Sequence, residues 1–273
     1  MLMSTETIAA RKRHSITGVA DGVELLRGPV PVLDEEPNTL GRWLVAIGGR
    51  GHPVRTFLTG VALSFFSIAA LSILLGLLVT RLLVPQGGID GADESLVRVL
   101  SQHRSSGLTD ASLIGSIIAG GVVLPIVVGA CALVAALFKR WRLGAFLVFA
   151  LAIESGAYRA TTLLVHRERP DVHRLESLPA NASYPSGHTA AAIAVYCGLA
   201  LLITSRISSL APRVVIWLIA AAIPVYVAFA RMYRGMHHPL DLLGGVVIGI
   251  AALTSMVLVS RAAGSAANDR DGS

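Results

Sequence analysis

The sequence predicts an all-α, polytopic membrane protein, a bundle of six transmembrane helices, and three observations predict it. Of 273 residues, 53% are hydrophobic and only 15% charged, with a mean hydropathy of +0.67. That leaves too little charge to cover a water-soluble domain of this length. Several apolar runs reach the ~20 helical residues that a hydrocarbon core requires. Between them, connections carrying Lys and Arg with few acids alternate with connections that mix Arg with Asp and Glu, the charge bias that sets topology in a bilayer.

Residues 1–55 are polar and irregular, with Arg11-Lys12-Arg13 and a Pro/Glu-rich patch around residues 30–37. No apolar core follows the early charges, so the segment reads as a partly disordered cytoplasmic tail rather than a signal peptide. Its stretch from Arg42 to Arg55 suits the membrane surface. The first span covers residues 56–84. A polar connection follows at 85–110, in which Leu96, Val97, Val99 and Leu100 point to a short amphipathic helix. The second span covers 111–138, the basic turn Lys139-Arg140-Trp141-Arg142 follows, and the third covers 143–165. After a polar segment, the fourth covers 186–204, the fifth 214–230 and the sixth 239–259, leaving a small polar tail from 261 to 273 expected to be disordered. The domain expectation is thus a tail at 1–55, a six-helix domain at 56–260 and a second tail.

The basic segments are the N-terminal tail, residues 139–142, residues 206–213 and Arg261. The positive-inside rule places them, and both termini, in the cytoplasm. The Ala/Gly/Arg-rich composition is in keeping with a bacterial plasma membrane. The net charge of +6 is spread over short connections without interleaved aromatics, which argues against nucleic acid as a partner. Cys131 and Cys197 lie inside apolar runs and provide neither a disulfide framework nor a zinc pattern. Glu154 falls mid-span, where a carboxylate needs a partner or a proton; no catalytic role is assigned to it.

Three polar clusters sit at the ends of spans, all on the side opposite the basic turns, so the site they would form lies at the outer membrane face. The first is Arg167-Glu168-Arg169-Pro170. Thr162, His166 and Arg169 share a face if the third helix runs on to Pro170, and the arginine forks suit phosphate oxygens. The second is Tyr184-Pro185-Ser186-Gly187-His188. It opens the fourth span as an anion-holding helix start, with Ser186 as N-cap, Gly187 allowing close backbone approach, and His188 able to exchange a proton. The third runs from Arg231 to Asp241. Pro239 suits the first helical position, so His238 caps the sixth span, and Asp241 lies within reach of the His237 ring, fixing one imidazole nitrogen and freeing the other to attack.

Taken together, Arg169-Pro170, Pro185-Ser186-Gly187-His188 and Arg231 with His237 and Asp241 resemble the signature of the type 2 phosphatidic acid phosphatase superfamily: Lys-x6-Arg-Pro, Pro-Ser-Gly-His, and Ser-Arg-x5-His-x3-Asp. Order, internal spacings and six-span layout agree from residue 84 to the end of the sixth span. The resemblance implies a metal-independent, cofactor-free hydrolase of lipid phosphates embedded in the bilayer. Its substrates would be polyprenyl phosphates or diphosphates, phosphatidic acid or phosphatidylglycerol phosphate. It also implies the roles: His237 as nucleophile forming a phosphohistidine, Asp241 orienting it, and His188 as general acid and then base. Arg169, Arg231 and the backbone near Ser186 and Gly187 would hold the phosphoryl oxygens. Two positions depart. The lysine slot holds Thr162 and the serine slot Ala230. Arg167, near the outer mouth, is the expected replacement for the lost lysine cation, because Arg159 leans away from the site. Two competing readings keep the site: a phosphotransferase, and a lipid-phosphate binding or transport protein.

Overall fold

The structure, a computed structural model, describes residues 30–86 and 88–271; the Arg11–Arg13 cluster lies outside them. Ten helices follow in order: α1 (Pro31–Asp34), α2 (Thr39–Gly48), α3 (Pro53–Leu78, continued by a π-helical turn Val79–Leu83), α4 (Gly88–Gln102), α5 (Ser106–Ile118), α6 (Val123–Leu137), α7 (Trp141–Leu164), α8 (Gly187–Thr204), α9 (Leu210–Tyr233) and α10 (Pro239–Asp271). Among the described residues, five of them (α3, α7, α8, α9 and α10) are long and apolar enough to cross a bilayer, and α5 with α6 reaches the same length and hydropathy only as a bent pair.

That bend corrects the straight second span expected at 111–138. The axis turns by 45° between α5 and α6, across Gly120-Gly121, where two glycines in succession remove the side-chain packing that stiffens a helix. Two termini are corrected as well. Residues 30–55 hold α1 and α2 rather than an irregular tail, and α10 runs through Asp271 rather than fraying after residue 260. One contact accounts for both. Asn38 caps α2 by accepting from the Gly41 N–H, and α2 lays Leu44 and Val45 against Val259, Ala262 and Ala266 of α10. The small alanines favour helix and let the two elements approach. The amphipathic helix expected in the first outer connection is α4.

α10 runs through the middle of the bundle, packing on α3, α7, α8 and α2, while α5 lies on α9 and α6 on α7. Outward-facing Leu58, Phe66, Leu74, Ile126, Leu133, Leu163, Leu218 and Val225 are exposed, as suits side chains solvated by lipid. The core is built of Phe146, Ala150, Ala157, Ala190, Ala194, Ile248, Ala252 and Met256. Its small residues bring backbones close where α10 meets the start of α8. A Cβ at Gly245 would stand 2.5 Å from the Ser186 carbonyl oxygen, and one at Gly244 would stand 2.5 Å from the Tyr184 ring.

These approaches generate a prediction. Gly245→Val is expected to displace the Ser186 turn and lower the melting temperature in detergent by several degrees or more. Gly129→Ala, where an added methyl meets nothing within 4 Å, leaves it within a degree or raises it slightly. Equal melting of both variants would refute the close-packing account.

Candidate active site

At the end of the bundle where α7 stops, α8 starts and α9 turns into α10, the three polar clusters meet. The local reasons are legible residue by residue. α7 ends at Leu164, earlier than the continuous helix to Pro170 assumed above, and Val165 is extended. From there residues 167–169 pair with the returning chain: the Arg167 N–H donates to Asn181, that of Arg169 to Ala180, and that of Ser183 back to Arg167. Extended backbone alternates its side chains, so Arg167 and Arg169 turn inward while His166 and Glu168 are exposed. The shared helical face of Thr162, His166 and Arg169 therefore does not form. Thr162 instead bonds locally, its hydroxyl donating to the Arg159 carbonyl at 3.0 Å.

Ser186 is the N-cap of α8, its hydroxyl oxygen accepting from Thr189 N–H. Its own N–H is committed to the Asp241 carbonyl at 2.9 Å, which leaves the N–H groups of Gly187 and His188 as the open donors of the first turn. α9 ends in a Schellman motif: Met236 N–H donates to the Arg231 carbonyl, Gly235 N–H to that of Met232, and Gly235 takes φ +72°. This reversal carries His237 back over the site. Pro239 begins α10, placing Asp241 in its first turn, where the helix dipole favours negative charge.

Asp241 is fully buried and accepts from Arg167, from the Ser183 hydroxyl and from the His238 N–H. His237 does not take the direct carboxylate bond expected of it. Its Nδ1 lies 2.7 Å from the Ser183 carbonyl oxygen and 3.7 Å from Asp241, too far for a hydrogen bond. The carbonyl accepts only, so Nδ1 carries the proton and Nε2 the lone pair. Asp241 acts on the ring through its field and by holding Ser183. Burial, and then the Arg231 and Arg169 cations, outweigh that field and bring the His237 pKa down to about 4; the ring is neutral at pH 7.

Arg167 is the main correction. Its guanidinium bridges two buried carboxylates, Asp241 and Asp93, the latter contributed by α4. Burial disfavours its charge, but the two acids outweigh burial and raise its pKa. Both ends of the fork are spoken for, so Arg167 holds Asp241 in place and does not replace the lost lysine as a phosphate contact. α4 also supplies Glu94, 3.0 Å from His238 Nε2. Sequence reasoning missed both acids, as well as Glu176; their partners lie far away in the chain.

Arg169 donates Nε to Pro179, one Nη to Met236 and the other to Ala182, all main-chain carbonyls. Two of its five N–H bonds stay free. Arg231 is 0% exposed; its Nη1 donates to Ser116 and to Glu176, while Nε and Nη2 are buried with no partner among the described residues. Glu176 bonds Arg231 at 2.7 Å and Arg234 at 2.5 Å and accepts from Ser116 at 2.7 Å. Burial alone would raise its pKa, but Arg231 first, with Ser116 and Arg234, draws it down to about 2. Arg169 and Arg231 are close enough to repel: burial, then the Arg231 charge, lower the Arg169 pKa. His188 sits in the same field, sensed by Arg231, His237, Glu176 and Arg169. The arrangement is a neutral imidazole with a free lone pair, a second imidazole, and buried guanidinium and helix N–H donors without acceptors. It is suited to receive a phosphoryl group.

Glu154, buried in α7, accepts only from the adjacent Ser155, with Oε1 unpartnered, and forms no pair with exposed Arg159.

Parts of the chain are similar to known proteins. Residues 143–264 match the model of the PAP2 superfamily. Phosphatidylglycerophosphatase B of Bacillus subtilis (strain 168) is 33% identical over 87 residues, which are 32% of this chain and 42% of that protein. Undecaprenyl-diphosphatase of Sulfolobus acidocaldarius is 32% identical over 120 residues, 41% of this chain and 53% of its own. The chain thus spans about half the length, or less, of the curated relatives it matches. The solved transmembrane PAP2-type phosphatidylglycerolphosphate phosphatase of Bacillus subtilis superposes with a TM-score of 0.60 at 21% identity. It covers 71% of this chain and 94% of its own, and shares the fold. The fold the two share is an α-helical bundle whose long apolar helices are of membrane-spanning length. The match to the PAP2 superfamily spans 122 of the 273 residues, just under half of the chain.

The Arg167 bridge is testable. Removing one partner of a buried ion pair costs about 3–5 kcal/mol, so Arg167→Ala is expected to lose stability on that scale in denaturant titrations of detergent-solubilised protein, and Asp93→Asn to lose part of it. A phosphate-contacting Arg167 would instead leave the titration unchanged and weaken only oxyanion binding.

Proposed function

We propose that the chain is a lipid phosphate phosphatase, hydrolysing a lipid phosphomonoester or diphosphate through a phosphohistidine. The observation that carries this is Arg231: a fully buried guanidinium with two nitrogens lacking acceptors, beside a neutral histidine whose Nε2 is free. Unpaired buried donors are costly, and a phosphoryl group supplies what they lack.

In the proposed reaction His237 Nε2 attacks phosphorus in line. The N–P bond forms as the P–O bond to the lipid breaks, and His188 gives its proton to the departing alkoxide. The Ser183 carbonyl and, through space, Asp241 accommodate the positive charge that grows on the ring. Arg231, the free N–H bonds of Arg169, and the Gly187 and His188 N–H groups hold the equatorial oxygens as charge redistributes. His188 then takes a proton from water, which attacks phosphorus and restores His237.

The names of the relatives support a phospholipid or polyprenyl substrate reaching the site from the bilayer. The charge bias of the connections supports a multi-pass plasma-membrane protein with cytoplasmic termini and a site facing outward. Arginines and helix N–H groups supply the positive charge, so we propose that hydrolysis needs no metal ion.

Phosphate release is expected from purified protein given phosphatidylglycerol phosphate, phosphatidic acid and polyprenyl diphosphate. Release should persist in EDTA and vanish in His237→Ala. No release from wild type overturns the hydrolase reading. The pH profile provides a second test. A nucleophile neutral down to a pKa of about 4 is competent above it and lost below it, so the acid limb of kcat/KM is expected near pH 4. A limb at the ordinary histidine value near 6.5 would refute the proposed environment of His237.

A further inference from the structure

The site lacks the cation its family signature places at residue 162, and neither stand-in suggested by sequence fills the gap. Thr162 bonds back to its own helix, Arg167 is consumed by Asp241 and Asp93, and Arg159 is exposed. One turn before Thr162, on the same face of α7, stands Tyr158. Its ring lies against Gly187, the first residue of α8. A Cβ there would come within 3.1 Å of Tyr158 Cδ2 and 3.2 Å of Cε2 and Cγ. Gly187 is therefore small to admit this ring beside the turn whose N–H groups open onto the site.

The phenol is within electrostatic reach of both Arg169 and Arg231. Tyr158 is half-buried, and among the described residues its hydroxyl has no hydrogen-bond partner. A tyrosine hydroxyl in such surroundings normally finds one. We propose that Tyr158 performs the missing lysine's task, its O–H donating to an equatorial oxygen of the bound phosphoryl group. The inference rests on the phosphatase reading of this site. A phenol contributes a directed hydrogen bond without a charge, so oxyanion affinity then depends on the two arginines for charge and on Tyr158 for the third direction.

The test uses orthovanadate, a phosphate-shaped oxyanion, titrated calorimetrically into full-length detergent-solubilised protein, with phosphate release measured in parallel. Tyr158→Phe keeps the ring on Gly187 and removes only the hydroxyl. It is expected to melt as wild type, to bind vanadate about tenfold or more weakly, and to lose kcat by about a hundredfold, the low end of what one oxyanion donor supplies. Thr162→Lys in the Tyr158→Phe chain is expected to restore both. Unchanged vanadate affinity in Tyr158→Phe overturns the proposal, and so does a loss that lysine at 162 fails to rescue, which would show that the hydroxyl does not act in the lysine's place. If wild type binds vanadate and Tyr158→Phe does not, yet no lipid phosphate is hydrolysed, the Tyr158 contact stands and the hydrolase reading falls. Absence of vanadate binding by wild type removes both.

Discussion

The architecture of the chemical end hangs on one buried carboxylate. Asp241 has no solvent contact, and an isolated charge in that position would cost far more than the fold has to spare. It is tolerable only because four separate segments converge on it. The strand-like exit of α7 brings Arg167, the turn before α8 brings Ser183, the α9–α10 turn brings the His238 N–H, and the first turn of α10 adds its dipole. Each of those segments also carries a piece of the site. Ser183 supplies the carbonyl that sets the His237 tautomer, Arg167 leads into Arg169, and Ser186 hangs its N–H on the Asp241 carbonyl. Satisfying one charge therefore brings together His237, the proposed nucleophile, the turn that opens α8, and the arginines of the proposed clamp.

The bridge extends outward to α4. Asp93 accepts from Arg167 and from the Leu240 N–H, and Glu94 reaches His238 and the Asp171 N–H. A surface helix that a composition argument would treat as passive thus closes the network behind the nucleophile. The opposite end of the bundle is held differently. There small residues of α10 meet α2, and the cation–anion contacts, Arg142 with Asp34 and Arg261 with Glu35, are partly exposed. Pairs of that kind contribute little each, so packing holds that end while charge holds the other.

How much was legible in the sequence follows from how far each interaction reaches. The spans were readable because a run of apolar residues reports its own environment. Ser186 as a cap, Pro239 as the start of α10 and Asp241 in its first turn were readable because each depends on neighbours within a turn. Arg167 was misread because the acids that claim it are 74 residues away on either side, and an arginine beside an Arg-Pro motif looks available until they are seen. Glu176 gave no local signal at all; it is one acid in a polar loop, and its partner Arg231 lies 55 residues on. The end of α10 was missed because a polar, alanine-rich tail is ordered by distant partners, α2, Val32 and Glu35 among them.

The arrangement of arginines explains why the proposed site suits an anion. Arg169 and Arg231 are buried near enough to repel, which lowers the cost of neither. The fold answers with acceptors in unequal measure. Arg169 receives three carbonyls, while Arg231 receives one side of Glu176 and a serine and keeps two nitrogens bare. Glu176 is itself divided between Arg231 and Arg234, so its charge is shared away from the bare edge. The guanidinium that keeps the bare nitrogens is the one whose field reaches both His188 and His237. A bound phosphoryl group relieves repulsion and unpaired donors at once, and it relieves more of both as negative charge accumulates on its equatorial oxygens. Interactions that strengthen with that charge are those that accelerate the chemical step rather than merely tighten binding.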